Sequence, residues 1–112
     1  MERALAQIVV RLPATDVQLA VVFGSLARDE VGPGSDLDLL LVRPTAERFI
    51  RRAEDLAAVL DVPVGVDVLV YTPEEFTRLR IQSPFIRQAL ATGRIVYEAK
   101  PRDRSKPVAP PG

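Results

Sequence analysis

Apolar positions along this chain recur with two periods, and the switches between them outline its elements. Leu5, Ile8, Val9 and Leu12 return at three- and four-residue intervals, which predicts an opening helix that Pro13 ends. "VQLAVVFG", residues 17–24, is rich in β-branched side chains and stops at a glycine, as a buried strand would. "SLARDE" reads as a short helix opening at Ser25, "VGPGS" as a loop, and "DLDLLLVR", residues 36–43, as a second strand. Over residues 45–61, Phe49, Leu56, Ala57 and Leu60 share one face and Arg and Glu the other, predicting an amphipathic helix. The arginines of that helix, Arg48, Arg51 and Arg52, read as a docking surface or as a solvated face, and the solvated reading is preferred.

"VGVDVLVY", residues 64–71, predicts a third strand. Thr72, Pro73 and Glu75 then carry the N-cap, first-turn proline and capping-box signals of a helix. Ser83 and Pro84 repeat the start signal, Gly93 is the expected C-cap, and "RIVYE" predicts a last short strand. From Ala99 onward the chain is Pro-rich with few large apolar residues, so residues 1–98 are expected to be the folded domain and 99–112 a disordered tail. Helices alternating with strands place the fold in the α/β (α+β) class, a small mixed sheet of about four strands with helices packed against it.

Composition narrows the chemistry. The 112 residues suit one small domain, and 15 basic against 15 acidic residues leave no net positive field that would advertise nucleic acid. Neither cysteine nor histidine is present, which excludes disulfides, thiolate zinc sites and Ser-His or Cys-His catalysis. Any catalytic metal must therefore be held by oxygen. No signal peptide or membrane span is legible, and a cytoplasmic location is expected.

Two positions break the apolar pattern. Side chains at i and i+2 of a strand share a face, so Asp36 and Asp38 project together at the head of "DLDLLLV". Two carboxylates so placed repel one another, and a hard divalent cation such as Mg²⁺ resolves the conflict. Asp67 interrupts "VGVDVLVY" among small and apolar neighbours, and its charge too calls for compensation. If the third strand pairs beside the second, the three acids meet in a geometry suited to metal-assisted phosphoryl transfer. The simpler alternative is that each acid is an exposed strand end paired with a surface arginine. Gly24 and Ser25, between a strand and a short helix, offer backbone N–H groups and a hydroxyl to phosphate oxygens.

"GS", ten residues and then "DLD" together resemble the signature of the nucleotidyltransferases related to DNA polymerase β. Within that superfamily "GSLARDE…GSDLDLLLV" is similar to the minimal nucleotidyltransferase (MNT) domain, and "VDVLVYTPEEF" resembles its third-carboxylate strand and following helix. The resemblance implies a polymerase β palm-like fold, with Asp36, Asp38 and Asp67 holding Mg²⁺, in one ion or two, and the triphosphate of ATP. It implies that Asp67 helps to deprotonate the attacking hydroxyl, that Gly24 and Ser25 hold the β- and γ-phosphates, and that Arg28 is a further phosphate contact. Asp29 stands where relatives usually carry glycine, which puts an extra negative charge near the phosphates.

Proteins of this size resemble the antitoxin of HEPN–MNT toxin–antitoxin pairs. That likeness implies AMP transfer from ATP to a tyrosine of a helical HEPN partner, without direct nucleic-acid binding. Two alternatives stand beside it: an antitoxin that acts by docking alone, and a small-molecule nucleotidyltransferase whose pocket comes from a separate helical subunit.

Overall fold

The computed structural model describes residues 2–24 and 37–99. The short helix expected at Ser25, the "VGPGS" loop and the tail beyond Ala99 lie outside the described residues. Helix α1 spans Glu2–Arg11 and runs into a 3-10 turn, Leu12–Ala14, that contains Pro13. Strands β1 (Leu19–Phe23), β2 (Leu37–Val42) and β3 (Val66–Tyr71) follow. Then come α2 (Pro73–Gln82), α3 (Pro84–Thr92) and β4 (Arg94–Glu98). The sheet order is β3-β2-β1-β4, with β1 antiparallel to β2 and β4, and β2 parallel to β3. This is the mixed four-stranded α+β sheet expected, with β1 and β3 each two residues shorter at the start than their apolar runs.

Both faces of the sheet are covered, which explains why β2 reads "LDLLLV" and not as an alternating strand. Leu37, Leu39 and Leu41 join Leu5, Ile8 and Leu12 of α1, with Val17, Ala20, Val22, Leu56 and Val70, in one apolar cluster. Leu40 and Val42 turn the other way and meet Val21 and Ile86, with Phe76, Leu79 and Leu90 of the C-terminal helices around them. All four leucines and valines after Asp38 in β2 are buried. At roughly 1.5–3 kcal/mol per buried large apolar side chain, this strand is the axis of the core.

The helix pair builds as its signals predict. Thr72 accepts from the Glu75 N–H while the Glu75 carboxylate accepts from the Thr72 N–H, a reciprocal capping box. Ser83 Oγ accepts from the Ile86 N–H at 3.2 Å, with Pro84 in the first turn of α3. Gly93 does end α3, but in extended conformation, not the left-handed one that usually selects glycine. A Cβ there would collide with the Ala89 carbonyl and stand 2.7 Å from the Val22 carbonyl, so glycine is needed for close approach of α3 to β1.

The helix predicted over 45–61 does not form. Two 3-10 turns, Phe49–Arg51 and Glu54–Leu56, stand in its place. Arginine side chains, one from within the segment and two from outside it, have taken carbonyls that an α-helical ladder would use. Arg52 Nε donates to the Glu47 carbonyl, and the Arg51 N–H bonds Arg48 instead. Arg43 Nη1 donates to the Arg52 carbonyl, and the Leu56 N–H bonds Ala53 instead. Arg11, at the end of α1, collects the carbonyls of Ala58, Val59 and Asp61. Leu56 still reaches the core, so the segment keeps its apolar anchor while losing its regular backbone. The expected solvated arginine face is also revised: Arg51 is exposed, but Arg52 is buried.

Candidate active site

The register of the sheet brings two of the acids together. Asp38 pairs with Phe23 across the antiparallel β1–β2 ladder and with Asp67 across the parallel β2–β3 ladder. Paired residues on neighbouring strands share a face, so Phe23, Asp38 and Asp67 form one row at one end of the sheet. Neighbouring strands lie about 4.8 Å apart, which sets the spacing of the two carboxylate-bearing backbones. The Leu37 N–H donates to the Gly65 carbonyl at 2.9 Å and fixes this register at its first residue.

Gly24 sits at the head of the row. It takes φ +80°, a left-handed conformation that side chains disfavour. An added Cβ would lie 2.5 Å from Asp38 Oδ2. The glycine is therefore required twice, once by its backbone and once by the carboxylate that occupies the space a side chain would fill. Ser25, Arg28, Asp29 and Asp36 lie outside the described residues, so the row is described from Gly24, Asp38 and Asp67.

The two acids differ in setting. Asp38 is half-buried, whereas Asp67 is exposed because β3 is an edge strand. Burial therefore does not force compensation of Asp67, contrary to what its apolar neighbours in sequence suggested; register alone ties it to Asp38. Among the described residues Asp67 makes no ion pair, so its pairing with a surface arginine is not what the structure displays. Among the described residues no three acidic, histidine or cysteine side chains gather to hold a metal ion. Asp38 and Asp67 supply only oxygen donors, from two adjacent strand positions, and that donor set fits a hard divalent cation.

The opposite end of the sheet carries a different polar assembly, which the sequence did not single out. Arg43, just after β2, is buried and fork-bonded to Asp16 (Nε–Oδ1 2.8 Å) and Asp55 (Nη1–Oδ1 2.6 Å). Arg52 donates to both carboxylate oxygens of Glu75, at 2.5 and 2.9 Å, and to the Val70 carbonyl. The Arg52 hydrogen bonds, helped by the Thr72 N–H, outweigh partial burial and hold the Glu75 carboxyl down at about 2. Hydrogen bonding to Arg43 likewise lowers the Asp55 carboxyl, against the opposing effect of burial. Burial pushes the Tyr71 hydroxyl up. Asp38 and Arg43 are five residues apart along the strand, about 16 Å, so these arginines are structural and do not neutralise the acids. The signal for this assembly was weak in sequence, because Arg43, Arg52, Asp16 and Asp55 look like ordinary surface charges until the chain is folded.

The sequence profile of the nucleotidyltransferase domain matches residues 2–90. No protein of curated function matches the chain. Among solved structures, a toxin–antitoxin with AMP-PNP is similar at 24% identity and a TM-score of 0.54, over 88% of this chain and 74% of that one. A tyrosine-to-alanine mutant of the toxin–antitoxin MntA–HpeT is 23% identical with a TM-score of 0.50, over 89% and 74%. A double aspartate-to-glutamate mutant of the same pair is 18% identical with a TM-score of 0.51, over 88% and 73%. At these identities the likeness establishes the fold. Among the described residues no helix is long and apolar enough to cross a membrane.

Proposed function

Because the chain belongs to the nucleotidyltransferase domain family, we propose that it transfers AMP from ATP to a tyrosine hydroxyl of a helical HEPN-type toxin, as an antitoxin. Family membership brings a nucleotide substrate and a divalent metal; Mg²⁺, the base, the acceptor and a cytoplasmic setting belong to the proposal. The observation that carries it is the row formed by Gly24, Asp38 and Asp67. There, two carboxylates meet on adjacent strands beside a glycine whose side-chain space the Asp38 carboxylate takes up.

Asp36, Asp38 and Asp67 would hold the cation, Gly24 and Ser25 the β- and γ-phosphates, and Arg28 would add a contact to the same phosphates. Bound there, Mg²⁺ supplies charge neutralisation along the triphosphate. The acceptor oxygen attacks the α-phosphorus in line and a new P–O bond forms. The bond between the α-phosphorus and its bridging oxygen breaks, and pyrophosphate leaves. Asp67, exposed and open to an incoming hydroxyl, receives the proton. Positioning supplies most of the remaining rate, since no histidine is available. The similar solved structures are toxin–antitoxins, one of them with AMP-PNP, which supports both the partner class and the nucleotide.

The test is incubation with labelled ATP, Mg²⁺ and the product of the neighbouring gene. Label on a tyrosine of that partner is expected, with at least ~100-fold less in Asp38→Asn. Tight binding of the partner with no label from any nucleotide would leave the docking antitoxin. An Asp38→Asn protein that neutralises the toxin as well as wild type would remove catalysis as the mechanism.

A further inference from the structure

Phe85 stands beside the acidic row with half its surface uncovered. Its ring meets Phe23 edge to face, with centroids 5.7 Å apart and planes at 86°. Phe23 is the cross-strand partner of Asp38 and the immediate neighbour of Gly24. Of the large apolar side chains exposed among the described residues, Phe85 (51% exposed) is the one stacked on this row. Phe49, also exposed, packs on Tyr71 at the far end of β3.

The position of Phe85 is rigid. It lies in the first turn of α3, between Pro84, whose ring fixes the backbone, and Ile86, which is 1% exposed in the core. The Ser83 side chain caps that turn, and the close approach at Gly93 pins the other end of α3 to β1. A preorganised aromatic face with no hydrogen-bonding group of its own suits a flat, apolar ligand surface. Leaving half a phenyl ring in water forgoes burial that such a ligand would supply.

We infer that Phe85, braced by Phe23, is the stacking platform for the base of the bound nucleotide. This rests on the nucleotidyl-transfer reading, because the phosphates must lie along Gly24 and the acids for the base to reach α3. The contact is planar and apolar, so it tolerates either purine and holds the larger purine surface better than a pyrimidine. It acts in binding and leaves the chemistry at the α-phosphate to the acids.

The experiment measures Kd by calorimetry, with Mg²⁺ present, for a non-hydrolysable ATP analogue and for inorganic tripolyphosphate. The proteins compared are wild type, Phe85→Ala, Phe85→Leu and Phe85→Trp. Phe85→Ala is expected to weaken the analogue about 5- to 150-fold, the span that base–aromatic stacking supplies, and to leave tripolyphosphate within twofold. Phe85→Leu, which keeps apolar packing against Phe23, should still lose nucleotide affinity, while Phe85→Trp restores it. Equal analogue affinity in Phe85→Ala and wild type would overturn the inference while leaving nucleotidyl transfer standing. Parallel loss of analogue and tripolyphosphate would also overturn it, because the defect would then be one of folding. A wild-type protein that binds neither ligand would remove the nucleotidyl-transfer reading itself and the platform with it.

Discussion

Gly24→Ala tests the geometry of the row most directly. The substitution adds one methyl group at a residue with φ +80°, where the left-handed backbone costs an L side chain about 1–2 kcal/mol. The same methyl would stand 2.5 Å from Asp38 Oδ2, against 3.4 Å for the start of ordinary contact. The gap of about 0.9 Å (3.4 − 2.5) must open by moving the carboxylate. A shift near 1 Å in a catalytic group costs on the order of 100-fold in rate. The expected result is thus a fall of roughly 100-fold in label transfer from ATP. Backbone strain should lower Tm by about 5–15 °C, at 4–8 °C per kcal/mol for a domain of this size.

A double-mutant cycle separates the two effects. In an Asp38→Ala background the clash is gone, so adding Gly24→Ala should cost only the backbone strain. A Gly24→Ala protein that transfers label within twofold of wild type would refute the claim that this carboxylate must stay where the glycine lets it lie. Identical Tm losses in both backgrounds would show that no clash exists.

Other outcomes follow from the same packing. Gly93→Ala places a methyl against the Ala89 and Val22 carbonyls, and calorimetry should show a loss of about 1–3 kcal/mol with nucleotide affinity retained in the surviving fold. Arg52→Met strands the Glu75 carboxylate and reopens two carbonyls, so denaturant titration should show a loss of roughly 3 kcal/mol. The Glu75 carboxyl, held at about 2 against an ordinary 4.5, contributes stability that is full above pH ~4.5. That contribution drains as the pH falls through about 2, and Glu75→Gln should flatten the acid limb of the stability curve. Asp67→Asn should lower transfer to the partner by ~100-fold or more without lowering Tm, since the residue is exposed and makes no ion pair among the described residues.

Where sequence and structure part, the cause is a side chain held by tertiary contacts that competes for the backbone. The 45–61 segment has the apolar spacing of a helix, yet Arg52 and Arg43 occupy the Glu47 and Arg52 carbonyls that its ladder needs. Both arginines are then held by acids well away in sequence, Asp16 and Asp55 for one and Glu75 for the other. Periodicity reports which face is apolar. It cannot report that a guanidinium, anchored by acids from other elements, will compete for the backbone. Gly93 illustrates a milder version, with its position at the helix end correct and its reason different.

The sequence alone was enough to place every strand to within two residues, the caps at Thr72 and Ser83, and the suspicion attached to Asp38 and Asp67, because these rest on local signals: period, turn chemistry and a charge inside an apolar run. Only the tertiary structure decided that β3 runs parallel beside β2 in the register that sets Asp67 against Asp38. It also decided that Asp67 is exposed, that Gly24 yields its side-chain space to the Asp38 carboxylate, and that Phe85 reaches the same row from the far end of the chain. Those are relations between residues separated by fourteen to about sixty positions. They are fixed by how the sheet closes on its two cores, and no local pattern carries them.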